Sequence, residues 1–442
     1  MQDADLEFDE QDFDGLGTRG NFFDMWRVAK GARLAPLCAE VGAALDTCNG
    51  PRQRKRKPQA QQVHDAIVAT IVGNLAFAVV MRFDPPTLAI RAAHSTGSLG
   101  RYDRKGMYNL PARLKNLEAS GLVEFETSRQ RRWLSTVRPT EMFAARVREA
   151  GATLADIGRV QDAETIVVTC AQSGFTESSS ARGATTSSYG RKASKRIEYE
   201  DTAENHRYRA EMVAINAALE IASLAYVGPE PVETDRRVLH RVFNDIGEPD
   251  CFSHGGRLYG GWWQNLARNL RRHIRIDGEP IADLDFKSMF VRLAYLSVGA
   301  TPPDGDLYAG IRHLDGPHRR DAVKKLISAL MFSKLKRQRI PKEIPKDLIP
   351  PGVRFKDLMD AILEKHPLLA PVLDTTAGYA LSKTESTILI DILRTLAAED
   401  ITALPMHDGI MVAASKADRA TEVMGDAAER ITGFRLPVEP KA

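Results

Sequence analysis

The sequence predicts an α+β chain built from several domains. Three observations carry this. The 442 residues exceed what a single core commonly organises, because domains run at roughly 100–200 residues each. Apolar residues at helical spacing recur along the chain, while short β-rich runs bounded by turn residues stand at 123–127, 133–137, 281–286 and 401–412. Hydrophobic content of 43% with 27% charged residues excludes a disordered or fibrous chain.

Charge in bulk argues weakly against a nucleic-acid partner, since 61 Lys+Arg against 58 Asp+Glu leave only +3. Its distribution reverses that argument. The first 17 residues hold seven acids and no base. Segment 101–150 holds 11 bases and 6 acids, and segment 257–342 holds 17 and 8. Locally basic stretches suit phosphate contact.

The four cysteines, Cys38, Cys48, Cys170 and Cys251, form no CxxC pair, so neither a disulfide framework nor a structural zinc site is expected. A reducing, cytoplasmic setting is the expectation. The acidic start does not read as a secretory signal. The longest apolar run, 67–81, is too short to span a bilayer and reads as a buried helix, so no membrane partner is expected.

The elements follow in order. Residues 1–57 read as a mobile region whose acidic head precedes a basic run, Arg52 and Arg54 to Lys57; a solvated linker and a phosphate-contacting arm are equal readings. Residues 58–160 read as one small domain. A helix at 62–81 opens it, and Leu110, Leu114, Leu117 and Leu122 mark a second helix stopped by Gly121. Two short strands follow, joined by a turn carrying Arg129, Arg131 and Arg132. This succession of helix, basic hairpin and helix resembles a winged helix, and that resemblance implies DNA-backbone contact by the three arginines. Residues 161–230 hold a Ser/Thr/Gly/Arg-rich loop at 171–197, which buries too little apolar surface to order, then a long helix at 201–226.

Four segments beyond residue 231 carry chemistry. Residues 255–266 (GGRLYGGWWQNL) interleave glycines and aromatics ahead of Arg268, Arg271, Arg272 and Arg275. Glycine lets backbone approach a ligand closely, and aromatics beside arginines suit base stacking and phosphate contact. Arg257, Gln264, Arg271 and Arg272 are the candidate contacts. Residues 281–286 (IADLDF) alternate as a strand, and SMFVRLAYL begins a helix beside it. A carboxylate at such a strand end is well placed to hold a metal ion, with a helix cap as the plain alternative. Arg320, Lys324, Ser328 and Phe332 lie four apart, hence roughly on one helix face, where two cations and an aromatic can meet a triphosphate and a base. An amphipathic helix with a solvated basic face is the alternative there. Finally, two apolar strands at 401–412 flank a His407-Asp408-Gly409 turn.

In their order, these segments resemble the palm and fingers of family A DNA polymerases and the related single-subunit phage-type RNA polymerases. The resemblance covers roughly residues 230–442 and implies a right-hand polymerase fold. Gly256-Arg257-Leu258 resembles the segment whose arginine contacts the primer–template duplex. Asp285-Phe286 resembles motif A, placing Asp285 and the adjoining Phe286 at catalytic metal and nucleotide. Arg320, Lys324 and Phe332 resemble the fingers helix that holds the incoming triphosphate. His407-Asp408 resembles motif C, with Asp408 the second metal carboxylate and His407 beside nucleic acid. Two Mg²⁺ or Mn²⁺ ions, a DNA primer–template and dNTPs are the implied cofactors and partners, with replication or mobile-element proteins beyond them.

Physical chemistry supports the same roles. Nucleotidyl transfer needs two ions about 3.5–4 Å apart clamping the attacking and leaving oxygens, and two carboxylates from separate segments can bridge them. Arg320 and Lys324 would offset triphosphate charge, and Lys324 would act catalytically on the charge developing in the transition state. Asp283 shares the strand face of Asp285 and would replace it under a shifted register.

Phe290, five residues after Asp285, stands where the DNA enzymes of this family keep a glutamate against the ribose 2′-OH and the RNA enzymes a small residue. A ring there, with Phe332 lacking a hydroxyl, points to dNTPs. Core packing is the plain alternative for Phe290. The sequence departs from the family in Ser333, which stands where a glycine follows the aromatic. It departs also in the unassigned stretch 335–375 and in showing neither an exonuclease constellation nor a thumb, for which the winged-helix-like region and the helix at 201–226 are the two candidate substitutes. The expected activity is template-directed DNA synthesis from a primer 3′-OH without proofreading. A primer-independent RNA polymerase or primase and a non-catalytic replication initiator are the rivals.

Overall fold

The computed structural model describes residues 22–48, 54–90, 100–104, 106–107, 109–127, 135–160, 163–171, 194–229, 231–333, 339–341 and 344–441. The acidic head, the arginine turn at Arg129, Arg131 and Arg132, and most of the Ser/Thr-rich loop lie outside them. The chain forms two compact units. One comprises the described parts of Leu16–Glu164 and Glu230–Arg236; the other comprises those of Thr165–Pro229 and Arg237–Ala442.

The first unit holds β1 (Arg27–Ala29), α1 (Ala35–Cys48), α2 (Pro58–Val80), β2 (Leu88–Ile90), α3 (Leu110–Glu118), β3 (Val123–Glu126), β4 (Ser135–Pro139), α4 (Glu141–Glu149) and β5 (Ile157–Arg159). Pro58 opens α2 at a position where a missing N–H goes unfelt. The helix is apolar nearly all round and is long and apolar enough to cross a membrane, yet Ile67, Ile71, Val72 and Leu75 are buried in this unit's core. Its one buried amide is fully used. Asn74 accepts from Arg27 Nη1 (3.1 Å) and the Asp24 N–H (2.7 Å), and donates to the Asp24 and Thr70 carbonyls. Strands β2, β4 and β3 form an antiparallel sheet, and β1 pairs with β5. The expected helix and hairpin at 110–137 thus exist as α3, β3 and β4.

The second unit is a mixed α+β body of two sheets. Its elements are β6 (Ile166–Ala171), β7 (Ser194–Arg196), α5 (Ala203–Ile221), β8 (Leu224–Tyr226), β9 (His240–Asp245), β10 (Gly255–Tyr259), α6 (Arg268–Arg271), β11 (Ile274–Ile276), β12 (Glu279–Phe286), α7 (Met289–Ser297), α8 (Arg320–Met331), α9 (Phe355–Lys365), α10 (Ala377–Ala398), β13 (Ala403–Met406), β14 (Gly409–Ala413), α11 (Ala417–Thr432) and β15 (Val438–Pro440). The helix expected over 201–226 ends at Ile221, and Leu224–Tyr226 instead joins a sheet.

One sheet runs β10-β9-β6-β7, with β6 parallel to β9. The other runs β13-β14-β12-β11-β8 and is centred on β12, which pairs with β14 along Ile281–Asp285 and with β15 along Leu284–Phe286. Every residue of β13 and β14 is buried, which explains why both read as unbroken apolar runs. Pro405 is tolerated in β13 because that strand pairs only with β14. Its carbonyl accepts from Trp263 Nε1 (3.0 Å) and Gln264 Nε2 (3.3 Å). Helix α10 packs against β10, α11 and α7.

Candidate active site

The register of β12 and β14 builds the site. Asp285 lies opposite Gly409, so the next residue of the hairpin, Asp408, stands at its flank. The turn between β13 and β14 is two residues long, and His407 adopts φ +53, a region side chains other than glycine rarely enter. Such strain persists where the surroundings enforce it. Gly409 is required by close approach: a Cβ there would lie 2.4 Å from the Leu284 carbonyl and 3.0 Å from Asp285 Oδ1. A second strained turn, Ser288 at φ +53, bends the chain from β12 into α7.

The two carboxyl groups lie within hydrogen-bonding reach of each other and perturb each other strongly. Burial and then the Asp408 charge push Asp285 well above the usual carboxylate range. Burial also acts on Asp408, but Lys324, then Lys441 and the shared hydrogen bond outweigh it and hold Asp408 down. Like charges this close share a proton or need a cation between them. Asp285 Oδ2 receives one, Lys441 Nζ at 3.0 Å. Asp285 Oδ1 and Asp283 Oδ1 are buried and have no hydrogen-bond partner, a condition native interiors seldom leave unexplained. Arg271 and Arg268 also bear electrostatically on Asp283. Among the described residues, no group of three or more His, Cys, Asp or Glu is arranged to hold a metal; the acidic centre is a two-carboxylate pair.

Helix α8 brings the cations. Ala322, Val323, Leu326, Ile327 and Leu330 pack inward, which leaves Arg320 and Lys324 on the other face. Arg320 Nε donates to Asp306 Oδ2 at 2.7 Å, and its guanidinium lies 5.2 Å from the Tyr308 ring centre. Burial and then the Asp408 charge raise the Tyr308 hydroxyl.

An aromatic cluster adjoins these charges. Phe290 and Phe332 lie 5.7 Å apart, centre to centre, and Tyr379 meets Phe332 edge-on at 5.0 Å. A Cβ on Gly378 would come within 2.7 Å of the Phe332 ring. The Arg257 guanidinium stands 5.2 Å over Phe290 and grips Glu385 through Nε–Oε1 (3.0 Å) and Nη2–Oε2 (2.8 Å). Burial alone would depress Arg257, but the Glu385 charge more than offsets it and holds the guanidinium above its usual value.

Asp285, Asp408, Lys324, Arg320, Arg257, Phe290, Phe332 and His407 are thereby brought to one region. Phe286 follows Asp285 on β12, and its ring is buried in the core. Gln264 turns inward: its Oε1 accepts from Gly260 and Gly261, while its Nε2 donates to the Leu258 and Pro405 carbonyls. Arg271 donates to the Leu266 carbonyl, and exposed Arg272 to the His273 ring. Sequence reasoning missed Glu385, Lys441, Asp306, Tyr308 and Tyr379. Glu385 carried a usable signal, as an acid among the buried positions of the apolar helix α10. Lys441 carried none, because only strand pairing brings it to Asp285.

No family model matches the chain, and no curated protein matches it. Among solved structures, the chain is similar to the POL domain of Pol1 from M. smegmatis, determined in complex with DNA primer-template and dNTP, at 10% identity and a TM-score of 0.28. The match covers 96% of this chain and 66% of that one.

Proposed function

We propose that the chain is a nucleotidyltransferase of the polymerase type, in which Asp285 and Asp408 form the catalytic carboxylate pair of a palm resembling that of family A DNA polymerases. The observation that carries this reading is the β12–β14 register, which sets two carboxyl groups from distant segments side by side, beside a helix presenting Arg320 and Lys324. The residues fit divalent ions: the pair is buried, mutually repulsive, and leaves Asp285 Oδ1 unpaired. Mg²⁺ or Mn²⁺ bound there would activate a 3′-OH and offset charge on the leaving pyrophosphate.

The chain's own groups account for the rest. Arg320 and Lys324 hold the triphosphate, and Arg320 exchanges Asp306 for phosphate oxygens. Phe332 and Tyr379 form the wall against the nascent base. Phe290, in the first turn of α7 and packed between Phe332 and the Arg257 guanidinium, excludes a 2′-OH, which favours dNTPs. Arg257, oriented by Glu385, faces the primer–template. The arginine turn of the first unit would add backbone contacts in the manner of a winged helix. Sequenced products from primed and unprimed templates, offered dNTPs and NTPs separately with Mg²⁺ or Mn²⁺, test this. Extension of primed templates with dNTPs is expected; unprimed NTP products would assign a primase instead, and no incorporation at all would leave a DNA-binding initiator.

A further inference from the structure

Strand β15 does more than complete a sheet edge. It pairs with β12 around the first member of the acidic pair: Leu284 faces Pro440, Asp285 faces Glu439 and Phe286 faces Val438. Two hydrogen bonds extend the ladder at its ends, from the Lys287 N–H to the Pro437 carbonyl (2.9 Å) and from the Lys441 N–H to the Asp283 carbonyl (2.8 Å). The backbone of Lys441 is therefore fixed against β12. Its side chain runs to Asp285 Oδ2 at 3.0 Å, and its charge also acts on Asp408 and Asp283. Most of that side chain is sheltered, at 28% exposure. Lys324, Arg268, Arg271 and His407 also act on these acids, but Lys441 is the cation seen bonded to Asp285.

Two carboxylates, Asp285 and Asp408, thus share the charge of one ammonium, which Asp283, two residues back on β12, feels as well. An ammonium is a compact point charge on a flexible stem, able to leave without disturbing the backbone that carries it. A divalent ion placed at the same oxygen would repel it.

We propose that Lys441 is a built-in counter-ion, holding the carboxylate pair in its bound geometry and yielding Asp285 Oδ2 when a divalent cation arrives. The proposal rests on the two-carboxylate reading above. Lys441 competes with the metal, so its charge weakens metal affinity while keeping the metal-free pair from springing apart. Arginine at 441 would retain the competition; methionine, of similar length and uncharged, would remove it.

The test is Mn²⁺ binding to the full chain, measured by electron paramagnetic resonance of the free ion without nucleotide or DNA. Lys441→Met should bind Mn²⁺ about tenfold or more tightly than the native chain, as expected for removing a unit charge adjacent to a divalent ion. Lys441→Arg should stay within about twofold of native, the charge being kept. Lys441→Met/Asp285→Asn should lose the gain. Lys441→Gln supplies a second neutral variant should methionine disturb folding, which circular dichroism reports. Equal or weaker Mn²⁺ binding in both neutral variants, with native binding intact and sensitive to Asp408→Asn, would overturn the counter-ion role and leave the metal site standing. No Mn²⁺ binding by any variant would overturn the metal site and the counter-ion role together.

Discussion

The pair Arg257–Glu385 offers the sharpest energetic prediction. Its bidentate contact buries the Glu385 side chain to 1% exposure, while Arg257 keeps 23%. Arg257→Met leaves a carboxylate with no water and no partner, which costs about 4 kcal/mol on the scale of broken buried pairs. Glu385→Met leaves a guanidinium that still reaches water, so about 3 kcal/mol is expected, at the low end of that scale. The double variant fills the same space with apolar atoms and should lose no more than about 3 kcal/mol, less than the roughly 7 of the summed singles. The assay is urea unfolding of the four proteins followed by circular dichroism.

The pH dependence adds a check of sign. Burial already raises Glu385 above 4.5, against the lowering effect of Arg257. Without Arg257 it rises further, so the folded protein binds more protons than the unfolded one above about pH 4.5, and stability falls as pH rises. Arg257→Met should therefore be less destabilised at pH 5 than at pH 8. Additive single losses, or a loss equal at both pH values, would refute the reasoning.

Other outcomes follow from the same geometry. Gly409→Ala forces a Cβ to 2.4 Å from the Leu284 carbonyl; a loss of about 1–3 kcal/mol in urea, typical of overpacking, and a marked fall in nucleotide incorporation are expected. Lys383 is pulled down to about 7 by burial and by Arg241, with Nζ 2.6 Å from the Tyr208 hydroxyl. The unfolded chain then holds more protons between pH 7 and 10.5, so stability should rise across that window by about 1 kcal/mol per pH unit. Urea unfolding at pH 7.5 and 9.5 should show this rise in the native chain and not in Lys383→Met; parallel behaviour would contradict it. Phe290→Ala removes the ring that packs on Phe332, and the ratio of ribo- to deoxyribonucleotide incorporation should rise at least about tenfold, as for loss of a steric exclusion worth over 1.4 kcal/mol.

Much of the fold was legible because its elements carry strong local signals. The alternation of IADLDF appears as β12, and the spacing of α8 separates its buried and charged faces as read. The apolar run at 67–81 forms the buried part of α2 as far as Ala78, and Met81 caps the helix. What the sequence hid was long-range. Helix α10 lies between the unassigned stretch 335–375 and the strands at 401–412 and was given no reading, so Glu385 went unseen although Arg257 was singled out. Lys441 meets Asp285 only through the pairing of β15 with β12, a contact no spacing encodes. The helix expected over 201–226 was read too long because Leu224–Tyr226 is apolar enough for either period, and sheet pairing decided it. Gln264 sits in a run of glycines and aromatics that resembles a contact surface, yet its amide instead ties the turn to the Pro405 carbonyl.

The central claim is that Asp285 and Asp408 together perform nucleotidyl transfer. The most direct test follows one-nucleotide extension of a labelled primer–template by the native chain, Asp285→Asn and Asp408→Asn, each at matched folding by circular dichroism. The account predicts extension by the native chain with Mg²⁺ or Mn²⁺ and a fall of at least about a thousandfold in both variants, the scale expected when charge stabilisation in the transition state is lost. Extension that survives in either variant would contradict it.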